Sequence, residues 1–129
     1  MIVLSGAALV LPDRILSPGT IFIDGDRIVD IRSGDMASAH PHAQFAFRGH
    51  YIVPGFIDVH VHGVEGIDAL DDLPGGDAVR SIAARLPQFG VTGFCPTTIA
   101  CAPEELRGVL KQVRDARAWP VPRGARVLP

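Results

Sequence analysis

The hydrophobic pattern of this chain changes period near residue 52, and that change limits the folds open to it. Residues 1–52 read as short strands joined by turns. "MIVLSGAALV" is apolar and broken by Ser5-Gly6. In "GTIFIDGDRIVDI", the apolar residues Ile21, Phe22 and Ile23 are separated from Ile28, Val29 and Ile31 by Asp24-Gly25-Asp26. Asp-Gly supplies the positive φ that tight hairpin turns require, so this segment predicts a β-hairpin. Residues 33–44 are small and polar and read as a loop, after which "FAFRGHYIV" reads as strand. The first 52 residues therefore predict a small β segment, a single sheet or part of a sandwich.

From residue 53 to 129 strand and helix alternate. Phe56 to Val61 has the composition of a buried strand. Asp77 to Phe89 has helical spacing: Val79, Ile82, Ala83 and Leu86 fall at i, i+3, i+4 and i+7 on one face. Asp77 suits the N-cap and Gly90 the stop, while Pro87 ends or kinks the last turn. "VTGFCPTTI" reads as the next strand. Pro103 opens a second helix at the position proline favours, with Glu104 and Glu105 in its first turn and Leu106, Val109, Leu110 and Val113 as its expected buried stripe. "RVLP" reads as the start of a third strand. The order β-α-β-α-β belongs to parallel sheets, open or closed into a barrel. Such strands are covered by helices and flanked by further strands, so the chain reads as the front part of a longer fold, with an exposed edge at its third strand.

Within that pattern "VPGFIDVHVHGVEG", Val53 to Gly66, holds the chemistry. Side chains alternate along a strand, so Asp58, His60 and His62 share one face, and Ile57, Val59 and Val61 share the other, which is expected to pack on helices. Two imidazoles at i and i+2 can converge on one metal ion. Gly63 follows at the C-terminal end of the strand, where barrel and open α/β enzymes build their sites. A second His-x-His, His40-Pro41-His42, lies in the polar loop with proline between its histidines and is read as loop.

Composition narrows the function classes. With a net charge of -2 and scattered basic residues, nothing marks a nucleic-acid or anionic-lipid surface, and the sparse arginines from Arg107 to Arg126 read as a solvated helix face. No apolar run approaches the ~18 residues of a membrane span, and the N-terminus lacks the basic start of a signal peptide. Cys95 and Cys101 form no CxxC motif. Cys95 reads as a small buried hydrophobe, and both thiols suit a reducing compartment. These features place the chain in the cytoplasm.

"VPGFIDVHVHG" resembles the first barrel strand of the amidohydrolase superfamily, whose signature is Pro-Gly-hydrophobic-Ile-Asp-x-His-x-His. Within it, "HGVEG" (62–66), "FGVTGFCPTTI" (89–99) and "APEEL" (102–106) are similar to the N-acetylglucosamine-6-phosphate deacetylase family, and the likeness covers essentially the whole chain. It implies an α/β fold: a small N-terminal β-sandwich segment over residues 1–52, then the first two β/α units and the start of strand three of an incomplete TIM-like barrel over 53–129. It implies hydrolysis of the N-acetyl group of an amino sugar phosphate, with His60 and His62 as ligands of a divalent metal, zinc foremost and iron or nickel as alternatives, in a site able to hold two metals.

The resemblance also implies partners: an amino sugar phosphate as small-molecule substrate, and the remainder of a barrel or a homo-oligomer partner. Asp58 reads as a structural carboxylate beside the pair, and Glu65 as a solvated loop residue. Gly63 and Gly66 read as loop glycines that let backbone approach the site, and Thr97 and Thr98 as strand-end caps. The remaining metal ligands and the catalytic carboxylate of the family match no position here; Glu104, Glu105, His40, His42 and His50 do not fill them. A barrel takes about 200 residues, so the chain alone is expected to be inactive. Another amidohydrolase, such as a dihydroorotase or isoaspartyl dipeptidase, or a non-catalytic remnant completed by a partner, are the alternative readings.

Overall fold

In the computed structural model, residues 1–36, 43–73 and 77–129 are described. They form two compact units, Met1–Pro54 and Gly55–Pro129. The His40-Pro41-His42 segment lies outside the described residues.

The first unit is a five-stranded sheet built of β1 (Ile2–Val10), β2 (Ile15–Asp24), β3 (Arg27–Ser33), β4 (Ala43–Ala46) and β5 (Tyr51–Ile52). β1 pairs antiparallel with β2, and parallel with β4 and β5 in succession along its length. Val3, Ser5, Ala7 and Leu9 alternate into the interior, the period of a half-buried strand. Ser5-Gly6 does not end β1, as the sequence suggested. Gly6 takes φ +80° at a register shift between Ser5 and Ala7, so the strand continues through a bulge that glycine tolerates. The β2–β3 hairpin is present, with Asp24 opposite Arg27 and Gly25 at φ +59° in the two-residue loop. The strand expected over 45–53 is instead two short strands, because a turn at Arg48-Gly49, with Gly49 at φ +76°, separates β4 from β5.

The second unit has three parallel strands in the order β10-β9-β6: β6 (Phe56–Val61), β9 (Val91–Pro96) and β10 (Arg126–Val127). Between them lie α1 (Ala78–Arg85) and α2 (Pro103–Ala118). The β-α-β-α-β order read from the sequence is therefore present. So is a feature it did not suggest, a small hairpin of β7 (Gly63–Val64) and β8 (Ile67–Asp68) directly after β6.

Local signals explain α1 well. The Asp77 carboxylate accepts the Arg80 N–H at 3.0 Å, satisfying one of the unpaired donors of the first turn. Val79, Ile82, Ala83 and Leu86 are all buried. Pro87 has no N–H to offer the Ala83 carbonyl, and that carbonyl instead accepts from Ala125 at 2.7 Å. The helix tightens into a 3₁₀ turn over Leu86–Phe89 and stops at Gly90, φ +78°.

Two burial expectations fail. In α2, Val109 is buried and Val113 half-buried, but Leu106 and Leu110 are exposed, Leu110 by 58%. In β6, only Val61 joins the core formed with Val79, Ile82, Phe94, Val109 and Val127. Ile57 and Val59 remain 65% and 71% exposed. The periodicity identified an apolar face correctly, but burial requires a covering element, and no described element of this unit covers these positions.

No helix among the described residues is long and apolar enough to cross a membrane. Because Asp77 holds the start of a helix that carries four core residues, Asp77→Ala should lower the unfolding free energy by about 1 kcal/mol, and Asp77→Ser by much less. Chemical denaturation of the three proteins measures this.

Candidate metal centre

The candidate site is set by how β6 lies against β9. Their parallel register runs Asp58 opposite Phe94 and Val61 opposite Pro96, with an irregularity between Asp58 and Val61. Three residues on β6 therefore span two on β9, the count of a bulge, a device that re-aims side chains. His60 sits inside this stretch. Its backbone N–H is accepted by the Asp58 carboxylate at 3.1 Å. Asp58 thus has the structural role read from the sequence, closing a backbone donor of the strand that carries the histidines.

The two imidazoles meet. His60 Nε2 and His62 Nε2 are 3.1 Å apart, and the rings stand edge to face with centroids 4.8 Å apart. His60 is exposed and His62 half-buried. On its other side the His62 ring contacts the Thr97 carbonyl through Nδ1 at 2.9 Å. Thr97 is itself fixed twice. Its N–H donates to the Val61 carbonyl at 2.8 Å, and its hydroxyl to the Cys95 carbonyl at 3.2 Å.

The donor set fits a metal. Zinc binds imidazole nitrogen at about 2.0–2.1 Å, which places two nitrogens of one tetrahedral ion roughly 3.3 Å apart. The observed separation is close to that, and both nitrogens are the outer ones of their rings. Among the described residues no group of three or more His, Cys, Asp or Glu is arranged to hold a metal, whereas a catalytic zinc takes three protein ligands.

The neighbouring loop serves the fold. The β7–β8 hairpin turns through Glu65 and Gly66, both at positive φ, +51° and +77°. Gly63 is confined by backbone: a Cβ there would lie 2.0 Å from the Ile67 carbonyl oxygen. Glu65 is an exposed loop residue, as read from the sequence, and its carboxylate accepts from Gln88 at 2.7 Å and faces Arg85 at 3.4 Å. The Ala69 N–H closes the hairpin on the His62 carbonyl at 2.8 Å. Cys95 is half-buried, with Sγ 3.6 Å from the Pro129 carbonyl, so it is less enclosed than expected. The Glu105 carboxylate accepts the Ala102 N–H at 2.8 Å at the start of α2, and His50 belongs to the first unit, where its Nδ1 contacts the Arg48 carbonyl at 3.0 Å.

No family model matches the chain. Curated relatives do. It is 34% identical to the N-acetylglucosamine-6-phosphate deacetylase of Rattus norvegicus over 98% of this chain and 29% of the relative, and 34% identical to that of Homo sapiens over 89% and 25%. It thus spans under a third of the length of these relatives.

Among solved structures, N-acetyl-D-glucosamine-6-phosphate deacetylase from Mycobacterium smegmatis aligns over 92% of this chain and 33% of that one, at 26% identity and TM-score 0.71. The Pasteurella multocida enzyme aligns over 91% and 30% with TM-score 0.73, and at 19% identity it shows the likeness of fold alone. The chain is thus a mixed α/β segment similar in sequence and fold to one part of N-acetylglucosamine-6-phosphate deacetylases.

Because backbone occupies the space beside Gly63, Gly63→Ala should destabilise the unit by about 1–3 kcal/mol. Gly66→Ala meets no atom and costs only its left-handed φ, about 1 kcal/mol, with Gly66→Asn cheaper still. Thermal unfolding should rank the three variants in that order.

Proposed function

We propose that this chain forms part of a metal-dependent N-acetylglucosamine-6-phosphate deacetylase and supplies two imidazole ligands, His60 and His62, to its divalent ion, zinc in the first instance. The observation that carries this reading is the approach of the two Nε2 atoms to 3.1 Å at the C-terminal end of β6, in a chain whose sequence relatives are such deacetylases. A bound ion would supply polarisation of the acetamide carbonyl and a water of lowered pKa.

The chain's own residues do the holding. His60 and His62 direct ring nitrogens to one point. Asp58 accepts the His60 backbone N–H through Oδ1 and is read as a supporting carboxylate. Hydrolysis would give acetate and the free amino sugar phosphate. It also needs a third ligand and a carboxylate acting as general base and acid, and among the described residues no group of three or more His, Cys, Asp or Glu is arranged to hold a metal.

We further read β6, β9 and β10, with α1 and α2 between them, as the opening strands of a TIM-like barrel, with residues 1–52 as its β-sandwich segment. Strands consecutive in sequence are neighbours in the sheet, as in such barrels. The uncovered Ile57 and Val59 call for further polypeptide, from the remainder of a barrel or from a partner. The free thiols of Cys95 and Cys101 suit the cytoplasm.

Zinc titration of the chain should show weak binding that is lost in both His60→Asn and His62→Asn. The 129-residue chain alone should not deacetylate N-acetylglucosamine 6-phosphate. Binding untouched by either substitution would exclude the site, and turnover dependent on His60 would overturn the incomplete-site account.

A further inference from the structure

We infer that Thr97 is a positioning residue that fixes the tautomer of His62, so that its Nε2 lone pair is turned outward before any ion arrives. The inference rests on the metal-site reading for its purpose but on hydrogen-bond geometry for its content. A carbonyl oxygen only accepts, so the 2.9 Å contact between His62 Nδ1 and the Thr97 carbonyl requires the ring proton to reside on Nδ1. In the neutral ring Nε2 is then the acceptor, and that is the atom 3.1 Å from His60 Nε2. The choice of nitrogen on a ligating histidine is set by the bond made at the other one.

Thr97 is built to make that choice firmly. Its N–H is tied to the carbonyl of Val61, the last residue of β6 and the one between the two histidines, and its hydroxyl reaches back to the Cys95 carbonyl. The carbonyl that receives His62 is therefore held in register with the strand it serves. The hydroxyl is the part of this arrangement that substitution can remove without touching the carbonyl.

The test uses the 129-residue chain, ¹⁵N-labelled and metal-free at alkaline pH, with zinc as the probe ligand. Imidazole nitrogen shifts should show His62 protonated at Nδ1 and bare at Nε2. Thr97→Val should mix the two tautomers and lower zinc affinity about 10-fold with the circular dichroism spectrum unchanged, and Thr97→Ser should restore both. His62 protonated at Nε2 in the wild-type chain overturns the inference, as does a folded Thr97→Val protein with unaltered tautomer and affinity. If Thr97→Val does not fold, the wild-type tautomer still decides. Nδ1 protonation in a chain that binds no zinc supports the Thr97 assignment while rejecting the metal site. Zinc held by both histidines with Nε2 protonated beforehand does the reverse.

Discussion

The parallel ladder between β6 and β9 is the contact on which the candidate site depends. Among the described residues β6 lies at one side of its sheet, paired with β9 alone, and gives only Val61 to the buried core. Among these residues β6, with His60 inside it and His62 just past its end, is thus held by one set of backbone hydrogen bonds, by one apolar anchor and by the hairpin that follows it. The ladder ends where Thr97 N–H meets the Val61 carbonyl, and that last bond brings the Thr97 carbonyl to His62. Register and ligand orientation are therefore one constraint: slipping β6 by one residue along β9 would turn the histidines to the opposite face.

The polar groups around the pair are arranged to support it. Asp58 accepts the backbone N–H of His60 within the irregular stretch of β6, and the Thr97 carbonyl lies 2.9 Å from His62 Nδ1. Each histidine thus has one polar contact besides the approach of its Nε2 atom to the other ring. Such outer partners orient ligands and raise their basicity. The two Nε2 atoms are left facing one another, an arrangement that suits a cation placed between them.

The sequence made much of this legible, and for physical reasons. Helix α1 could be read to its caps because Asp77, Pro87 and Gly90 act locally, through one N–H each or one φ angle. The period of a strand led to the expectation that His60 and His62 face together; the two rings do meet, across an irregular stretch of β6 and the bend that follows it. The failures are of another kind. Leu106, Leu110, Ile57 and Val59 have the right spacing for burial, yet spacing says which face is apolar and not what lies over it. The β7–β8 hairpin was missed because its strands are two residues each, too short for periodicity. Its signal was Val64 and Ile67 flanking Glu65-Gly66, a two-residue loop ending in glycine. The service of Thr97 to His62 runs through a main-chain carbonyl, which every residue has, so no side-chain pattern could announce it. Thr97 was read as a strand-end cap, and its hydroxyl does make such a bond, to Cys95.

The proposal that His60 and His62 hold one ion rests on the approach of their Nε2 atoms to 3.1 Å. The most direct test is anomalous diffraction at the zinc edge from crystals of the chain grown with zinc. The account predicts a peak about 2.0–2.1 Å from both His60 Nε2 and His62 Nε2, with the Thr97 carbonyl still on His62 Nδ1. Zinc bound elsewhere, or through only one of the two histidines, would contradict it.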